Sequence, residues 1–314
     1  MDAEIRTILC PLDLSPISSR ELELAVELAR AFGAGLVLQH NLPSTGPGMA
    51  KAWEWRQAHP RTDLRRTADA KLRELAAKVP PEVPVETLMT SGPLSIGVAQ
   101  LAAELPADLV LLGCHGSSTE DHSSLTELLL GRCTCPILTV HEGGGHACTL
   151  HLGEGRQRPL RVLVPTDFSP AGAAAARYAC GLAERLGGEV HLLHVLEESG
   201  SPVGNLFSMT PVGPSDFSRK PETSAEGRAL AAARERLAEL IPGRMADRAY
   251  RHVEPGRAED AILGLAREIV PDLIVMGEHA REPLRRFFTH DTARGILHQA
   301  ACPVWFVPPP RLAA

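Results

Sequence analysis

Two aspartates stand where apolar runs end. Asp13 closes ILCPLD and Asp167 closes VLVPTD, and each is followed by a residue and then Ser-Pro. A carboxylate released at the end of a buried strand can accept hydrogen bonds from sugar hydroxyls. It can equally accept the backbone N–H groups of the helix that follows. Both readings stay open at this point. Further along, Gly113 and Gly116 frame the turn in LLGCHG, and Gly277 opens the matching VMGEHA, where Ala280 replaces the second glycine. Glycine lets main chain approach an anion closely and turn several N–H groups towards it. A helix N-terminus behind such a turn adds a favourable dipole. His115 and His279 lie inside these turns and are candidates for ligand contact. His40 and His194 end other apolar runs and read as packed side chains. The chemistry these types suggest is the holding of phosphate and sugar, not bond breaking.

Other constellations read as structural. His141, Glu142, His146, Cys148 and His151 are metal-ligand types, but their spacing in a glycine-rich run is no standard finger. Cys133 and Cys135 read as small buried residues, and no metal site is expected. His290-Asp291 resembles part of a hydrolytic pair, yet there is no G-x-S-x-G elbow to supply a nucleophile. No catalytic residue is assigned. Neither a Walker A loop nor a strand-associated G-x-G-x-x-G occurs, which argues against a P-loop ATPase and a dinucleotide dehydrogenase.

The elements that must position these residues occur twice. ILCPLDLSP (8–16) returns as VLVPTDFSP (162–170), ADLVLLGCHG (107–116) as PDLIVMGEHA (271–280), and TCPILTV (134–140) as ACPVWFV (301–307). Three matched blocks in one order imply a duplicated domain. The register slips twice between blocks, as surface-loop insertions would make it. Within each half, short aliphatic runs alternate with helical patterns, the signature of parallel βαβ units. Continuous apolar strands such as DLVLLG and DLIVMG imply burial on both faces. In the first half strands are expected near 5–13, 35–43, 83–91, 108–116 and 136–140. Helices are expected at 18–32, where Ser18 and Glu21 suggest a capping box, and at 63–79, 95–105 and 125–133. The second half follows the same plan. The fold class is therefore α/β: two tandem doubly wound, Rossmann-like (flavodoxin-like) domains, each with a five-stranded parallel sheet in the order 3-2-1-4-5. Domain 1 is expected over 1–141, a linker over 142–158 and domain 2 over 159–310. Residues 44–62 and 199–224, rich in Pro, Gly and Ser, are expected to be loops.

The Pro-x-Asp end of strand one, the Gly-x-His-Gly end of strand four and the Cys-Pro before the last strand together resemble the universal stress protein family. Nearly the whole chain is covered, as two tandem units. The resemblance implies a stress-response protein: a non-catalytic binding or regulatory module. ATP-binding members hold nucleotide over the carboxyl ends of strands one and four, with a G-x2-G-x9-G-[S/T] loop on the phosphates and backbone after strand two on the adenine. Carried onto the first half, this marks Pro11, Leu12, Asp13 and Asn41. On the loop it marks Gly113, His115, Gly116, Ser123 and Ser124. In the second half it marks Pro165, Thr166, Asp167 and Val195, then Gly277, His279, Arg281, His290 and Asp291. The chain departs from the pattern in both halves. In the first the loop is shorter by three residues and carries Glu120 and Asp121, which would repel a triphosphate unless they hold Mg²⁺. In the second, Ala280, His290 and Asp291 replace three signature residues, while Arg281, Arg285 and Arg286 could attract phosphate by charge. ATP or AMP, with Mg²⁺, is thus the candidate ligand. A slow nucleotide hydrolase using Glu120, Asp121 or His290, and a nucleotide-free scaffold, are the alternatives. The resemblance also suggests that PILTV (136–140) and PVWFV (303–307) pair edge to edge as an internal pseudo-dimer, with a homodimer as a further step.

Composition narrows the classes. The chain has 314 residues, with 32 basic and 38 acidic side chains and a net charge of −6. No basic footprint for nucleic acid is present. Aromatics are only 4%, so the cores must be aliphatic. No apolar run reaches the roughly 18 residues of a membrane span. The acidic opening MDAEIRTILC suggests no cleaved leader. Seven irregularly spaced cysteines fit a reducing compartment, so a cytoplasmic location is expected.

Overall fold

The computed structural model describes residues 4–15, 18–42, 61–114, 122–143, 146–147, 150, 152, 156, 158–196, 225–278 and 290–309. Contacts divide the chain into two compact units, one built on Glu4–Gln157 with Ala301–Pro308 and the other on Arg158–Ala300.

The first unit runs β1 (Thr7–Pro11), α1 (Ser18–Phe32), β2 (Gly35–Leu42), α2 (Arg61–Ala76), β3 (Val85–Ser91), α3 (Leu94–Glu104), β4 (Leu109–Cys114), α4 (His122–Leu129) and β5 (Ile137–Gly143). A two-residue strand, β6 (His146–Ala147), folds back antiparallel on β5. The strand order is β3-β2-β1-β4-β5, all parallel. This is the expected 3-2-1-4-5 order. Ile8, Leu9, Cys10 and the Leu109–Leu112 run are almost fully buried, as strands covered on both faces must be.

The second unit carries β7 (Leu160–Pro165), α5 (Pro170–Leu186), β8 (Gly188–Leu196), α6 (Ala225–Glu239), β9 (Ala249–Pro255), α7 (Ala258–Ile269), β10 (Leu273–Gly277) and α8 (His290–Gln299). Its order is β9-β8-β7-β10, again parallel. A 3₁₀ turn at Gly243–Arg248 leads into β9 and buries Met245. The last strand of the second repeat, β11 (Val304–Val307), pairs antiparallel with β5 and groups with the first unit. Val304 faces Thr139 and Phe306 faces Ile137. The Thr139 hydroxyl donates to the Val304 carbonyl at 3.1 Å in a buried setting. Trp305 and Phe306 are buried there, each worth about 1.5–3 kcal/mol of apolar burial.

Helix α5 shows how local chemistry sets the boundaries. Ser169 accepts the Gly172 N–H at 3.0 Å as N-cap, Pro170 follows at the first turn, and Gly187 ends the helix at φ 66°. Ser169→Ala is expected to cost about 1 kcal/mol of unfolding free energy, readable by urea titration. Its alanine-rich face (Ala171, Ala175, Ala176, Ala179, Ala183) is buried and lets the helix lie close to the sheet. Helix α1 departs from the sequence expectation. Ser18 and Glu21 do not form a capping box. Ser18 is itself helical, its N–H donates to the Ser15 carbonyl, and its hydroxyl donates to Asp13. Glu21 is buried, and its carboxyl fills the space beside Gly113.

The segment expected to be a flexible linker is partly structured. Strand β5 runs on to Gly143, Leu150 is buried, and the Leu152 N–H donates to Glu27 at 2.9 Å. The expected loops at 44–60 and 199–224 lie outside the described residues, while residues 61 and 62 open α2. Among the described residues no helix is long and apolar enough to cross a membrane.

Candidate functional site

In each unit strand order reverses between the first and fourth strands, β1 and β4 or β7 and β10. Ligands of doubly wound sheets bind beyond the carboxyl ends at such a switch point. The two aspartates stand there. Asp13 accepts the Ser15 N–H at 2.8 Å and the Ser18 hydroxyl at 2.9 Å. Asp167 accepts the Ser169 N–H at 2.9 Å. Both carboxylates therefore shape the turn into the next helix. Asp13 is exposed and Asp167 half-buried.

The residue after each aspartate is held in a left-handed conformation, Leu14 at φ 61° and Phe168 at φ 61°. Neither is Gly or Asn, so each costs about 1–2 kcal/mol. The same strain at the same position in both repeats marks the strand ends as over-determined. Thr166 supports the second turn: it is buried, and its hydroxyl accepts the Phe168 N–H at 3.1 Å.

The histidines expected to be packed hold these ends together. His40 Nδ1 donates to the Leu12 carbonyl at 2.7 Å and His194 Nδ1 to the Thr166 carbonyl at 2.9 Å. Alongside them, the Leu12 N–H donates to the Gln39 carbonyl and the Thr166 N–H to the Leu193 carbonyl. Burial pushes His194 below the ordinary imidazole range, so it stays neutral and keeps this tautomer. Phe168 lies 4.2 Å from the His194 ring, and the Arg236 guanidinium of α6 sits 4.0 Å above the Phe168 ring.

Pro11 and Pro165 end the first strands, Val195 is buried in β8, and Asn41 lies near the end of β2. The Asn41 amide is engaged locally. It donates to the Gly92 carbonyl at 3.1 Å and accepts from the Thr90 hydroxyl at 3.0 Å. Ser123 and Ser124 fall in the first turn of α4, and His290 and Asp291 open α8. His115, Gly116, His279 and Arg281 lie outside the described residues, as do Glu120, Asp121, Arg285 and Arg286.

The two strand-end glycines have a packing reason. A Cβ on Gly277 would stand 2.5 Å from the Ala171 carbonyl oxygen and 2.9 Å from the Gly172 nitrogen. A Cβ on Gly113 would overlap the Glu21 carboxyl. Close approach of helix to strand therefore accounts for both glycines without a phosphate. The two glycines therefore do not by themselves mark a phosphate site.

One strand-end residue was passed over in the sequence. Glu278 follows β10 directly and is only 7% exposed. Among the described residues its Oε1 has no hydrogen-bond partner, and burial pushes its carboxyl up to about 7. Aligning the repeats sets it opposite Cys114, and that exchange of a thiol for an acid was the available signal.

Comparison with known proteins agrees with this architecture. The universal stress protein family model matches residues 4–141 and again 160–308. A universal stress protein of Mycolicibacterium smegmatis is 26% identical over 96% of this chain and 97% of its own length. Universal stress protein Sll1654 of Synechocystis is 29% identical over 43% of this chain and 85% of its own. Among solved structures, a universal stress protein from Archaeoglobus fulgidus superposes with a TM-score of 0.62 at 18% identity, covering 99% of this chain and 98% of that one. A putative universal stress protein from Pseudomonas aeruginosa gives 0.57 at 18% identity, over 98% and 94%. Two family units in tandem, each with its own switch point, fill the described chain, and the protein belongs to the universal stress protein family.

Proposed function

We propose that this protein is a non-catalytic binding module of the stress response whose strand-end sites take an adenine nucleotide, ATP or AMP, with Mg²⁺ accompanying the triphosphate. The observation that carries the reading is the strained turn repeated at both switch points, Asp13-Leu14-Ser15 and Asp167-Phe168-Ser169. Strain of this kind persists where surrounding structure enforces it, and it clusters at ligand sites. The first repeat is the stronger site. In the second, Glu278 places a carboxyl beside the strand end, where phosphate charge would gather. Slow hydrolysis through Glu120, Asp121 or His290 and a nucleotide-free scaffold are the alternatives. The reading also expects the two repeats to form an internal pseudo-dimer. A homodimer in the cytoplasm is the assembly this reading expects.

Calorimetric titration of nucleotide-free protein with ATP, ADP and AMP, each with and without Mg²⁺, tests the proposal. Saturable binding that weakens at least tenfold in Asp13→Ala is expected. No heat and no thermal shift up to millimolar nucleotide would leave the scaffold reading.

A further inference from the structure

One face of β8 and β9 carries a polar cluster towards the amino ends of the strands, away from their carboxyl-end turns. His191 lies opposite Tyr250 and Leu193 opposite His252 in the parallel register, so the two histidines share a face one diagonal apart. His191 Nδ1 is 3.1 Å from His252 Nε2, with the rings 5.3 Å apart and inclined by 21°. On the same face Tyr250 stacks on His191 at 4.7 Å. The second ring nitrogen of His191, Nε2, lies 3.4 Å from Glu189 Oε1. The same oxygen accepts from Arg161 Nε at 2.9 Å.

We propose that His191 and His252 form a two-imidazole site for a divalent transition-metal ion, oriented by Glu189. A metal-binding imidazole needs its other N–H fixed by an acceptor, which sets the tautomer and aims the lone pair. Glu189 does this for His191: Nε2–H donates to the carboxylate and Nδ1 is left facing His252. Two nitrogens at this spacing subtend about 100° at a metal with typical 2.0–2.1 Å bonds to imidazole. That is close to a cis angle in tetragonal or octahedral coordination. Burial holds both rings below the ordinary imidazole range, His252 at about 4, so both are neutral and able to ligate at pH 7. Among the described residues, Arg161 is the cation hydrogen-bonded into the cluster. Its Nε is turned to Glu189 and its Nη1 to the Ile269 carbonyl at 2.9 Å, so its charge is offset by the carboxylate.

Among the described residues no group of three or more His, Cys, Asp or Glu converges. Water therefore completes the coordination, and the ion must be one that binds well through two imidazoles. Cu²⁺ tops the divalent series on nitrogen ligands, with Ni²⁺ and Zn²⁺ below it. Tyr250, 47% exposed at the edge of the cluster, leaves a path from solvent. This inference is independent of nucleotide binding.

The test is titration of the full chain with Cu²⁺, followed by calorimetry and electron paramagnetic resonance. The expected result is one copper per chain whose spectrum carries coupling to two nitrogens. His252→Gln and His191→Gln should each lose that signal, with circular dichroism confirming that they fold. Glu189→Gln should keep the two-nitrogen signal and weaken affinity about tenfold. An unchanged spectrum and stoichiometry in His252→Gln would overturn the proposal, since the copper would then sit elsewhere on the chain. Failure to bind copper below millimolar concentration would also overturn it and leave the pair as a hydrogen-bonded packing contact.

Discussion

Glu278→Gln should raise the unfolding free energy at pH 8 by about 2–3 kcal/mol, and by less than about 1 kcal/mol at pH 5. The carboxyl is buried, its Oε1 has no hydrogen-bond partner among the described residues, and burial lifts it to about 7 from an ordinary 4.5. Between those two values the folded state holds a proton that the unfolded chain has already released. Stability linked to Glu278 is therefore fully present below pH 4.5 and is lost as pH rises through about 7. Glutamine has nearly the same shape and no charge, so it removes the alkaline loss without opening a cavity. Urea titrations of both proteins from pH 5 to pH 8 give the comparison. Curves that stay parallel across the range would mean that Glu278 ionises freely in the folded protein.

Replacement of Gly277 by valine should lower the unfolding free energy by about 3 kcal/mol or more, at the upper end of overpacking costs. The first carbon added already meets the Ala171 carbonyl carbon at 2.6 Å and the Gly172 nitrogen at 2.9 Å. These are main-chain atoms at the start of α5, and they cannot rotate away. Either α5 moves off the sheet or β10 bends. In a unit of this size the melting midpoint should fall by about 6–12 °C, and amide exchange should speed up in α5 and β10 first. At Gly113 the obstacle is the Glu21 side chain. Gly113→Ala should be disruptive alone and partly relieved in Gly113→Ala/Glu21→Ala. A Gly277→Val protein that melts with the wild type would show that α5 is not seated on the strand as described.

The parts of the fold that were legible in the sequence are those written in continuous runs. DLVLLG and DLIVMG are apolar because both sheet faces are covered, so β4 and β10 could be read directly. Asp13 and Asp167 were legible because a carboxylate after Pro-x at the end of such a run has few roles. The strain beside them was not. Left-handed backbone normally announces itself through Gly or Asn, and here the residues are Leu14 and Phe168. Ser18 and Glu21 have capping-box spacing, but Asp13 takes the Ser18 hydroxyl and Glu21 turns inward against Gly113. Those outcomes depend on contacts between elements that local spacing does not encode. Glu278 escaped notice for a related reason: nothing local in the sequence tells that a charge after an apolar run will be buried. His191 and His252 are 61 residues apart, and only the β8–β9 register brings them together.

The seating of β11 against β5 has a consequence for biosynthesis. Thr139 and the Val304 carbonyl that it reaches are separated by 165 residues. A ribosome adding about 5–20 residues per second needs on the order of ten seconds or more to cover that distance. During that interval the nascent first unit has all its parallel strands, and the outer edge of β5 has no β11 to cover it. An uncovered strand edge is a template for pairing with a neighbouring chain. The growing polypeptide is thus exposed to mispairing on a crowded polysome until β11 has emerged.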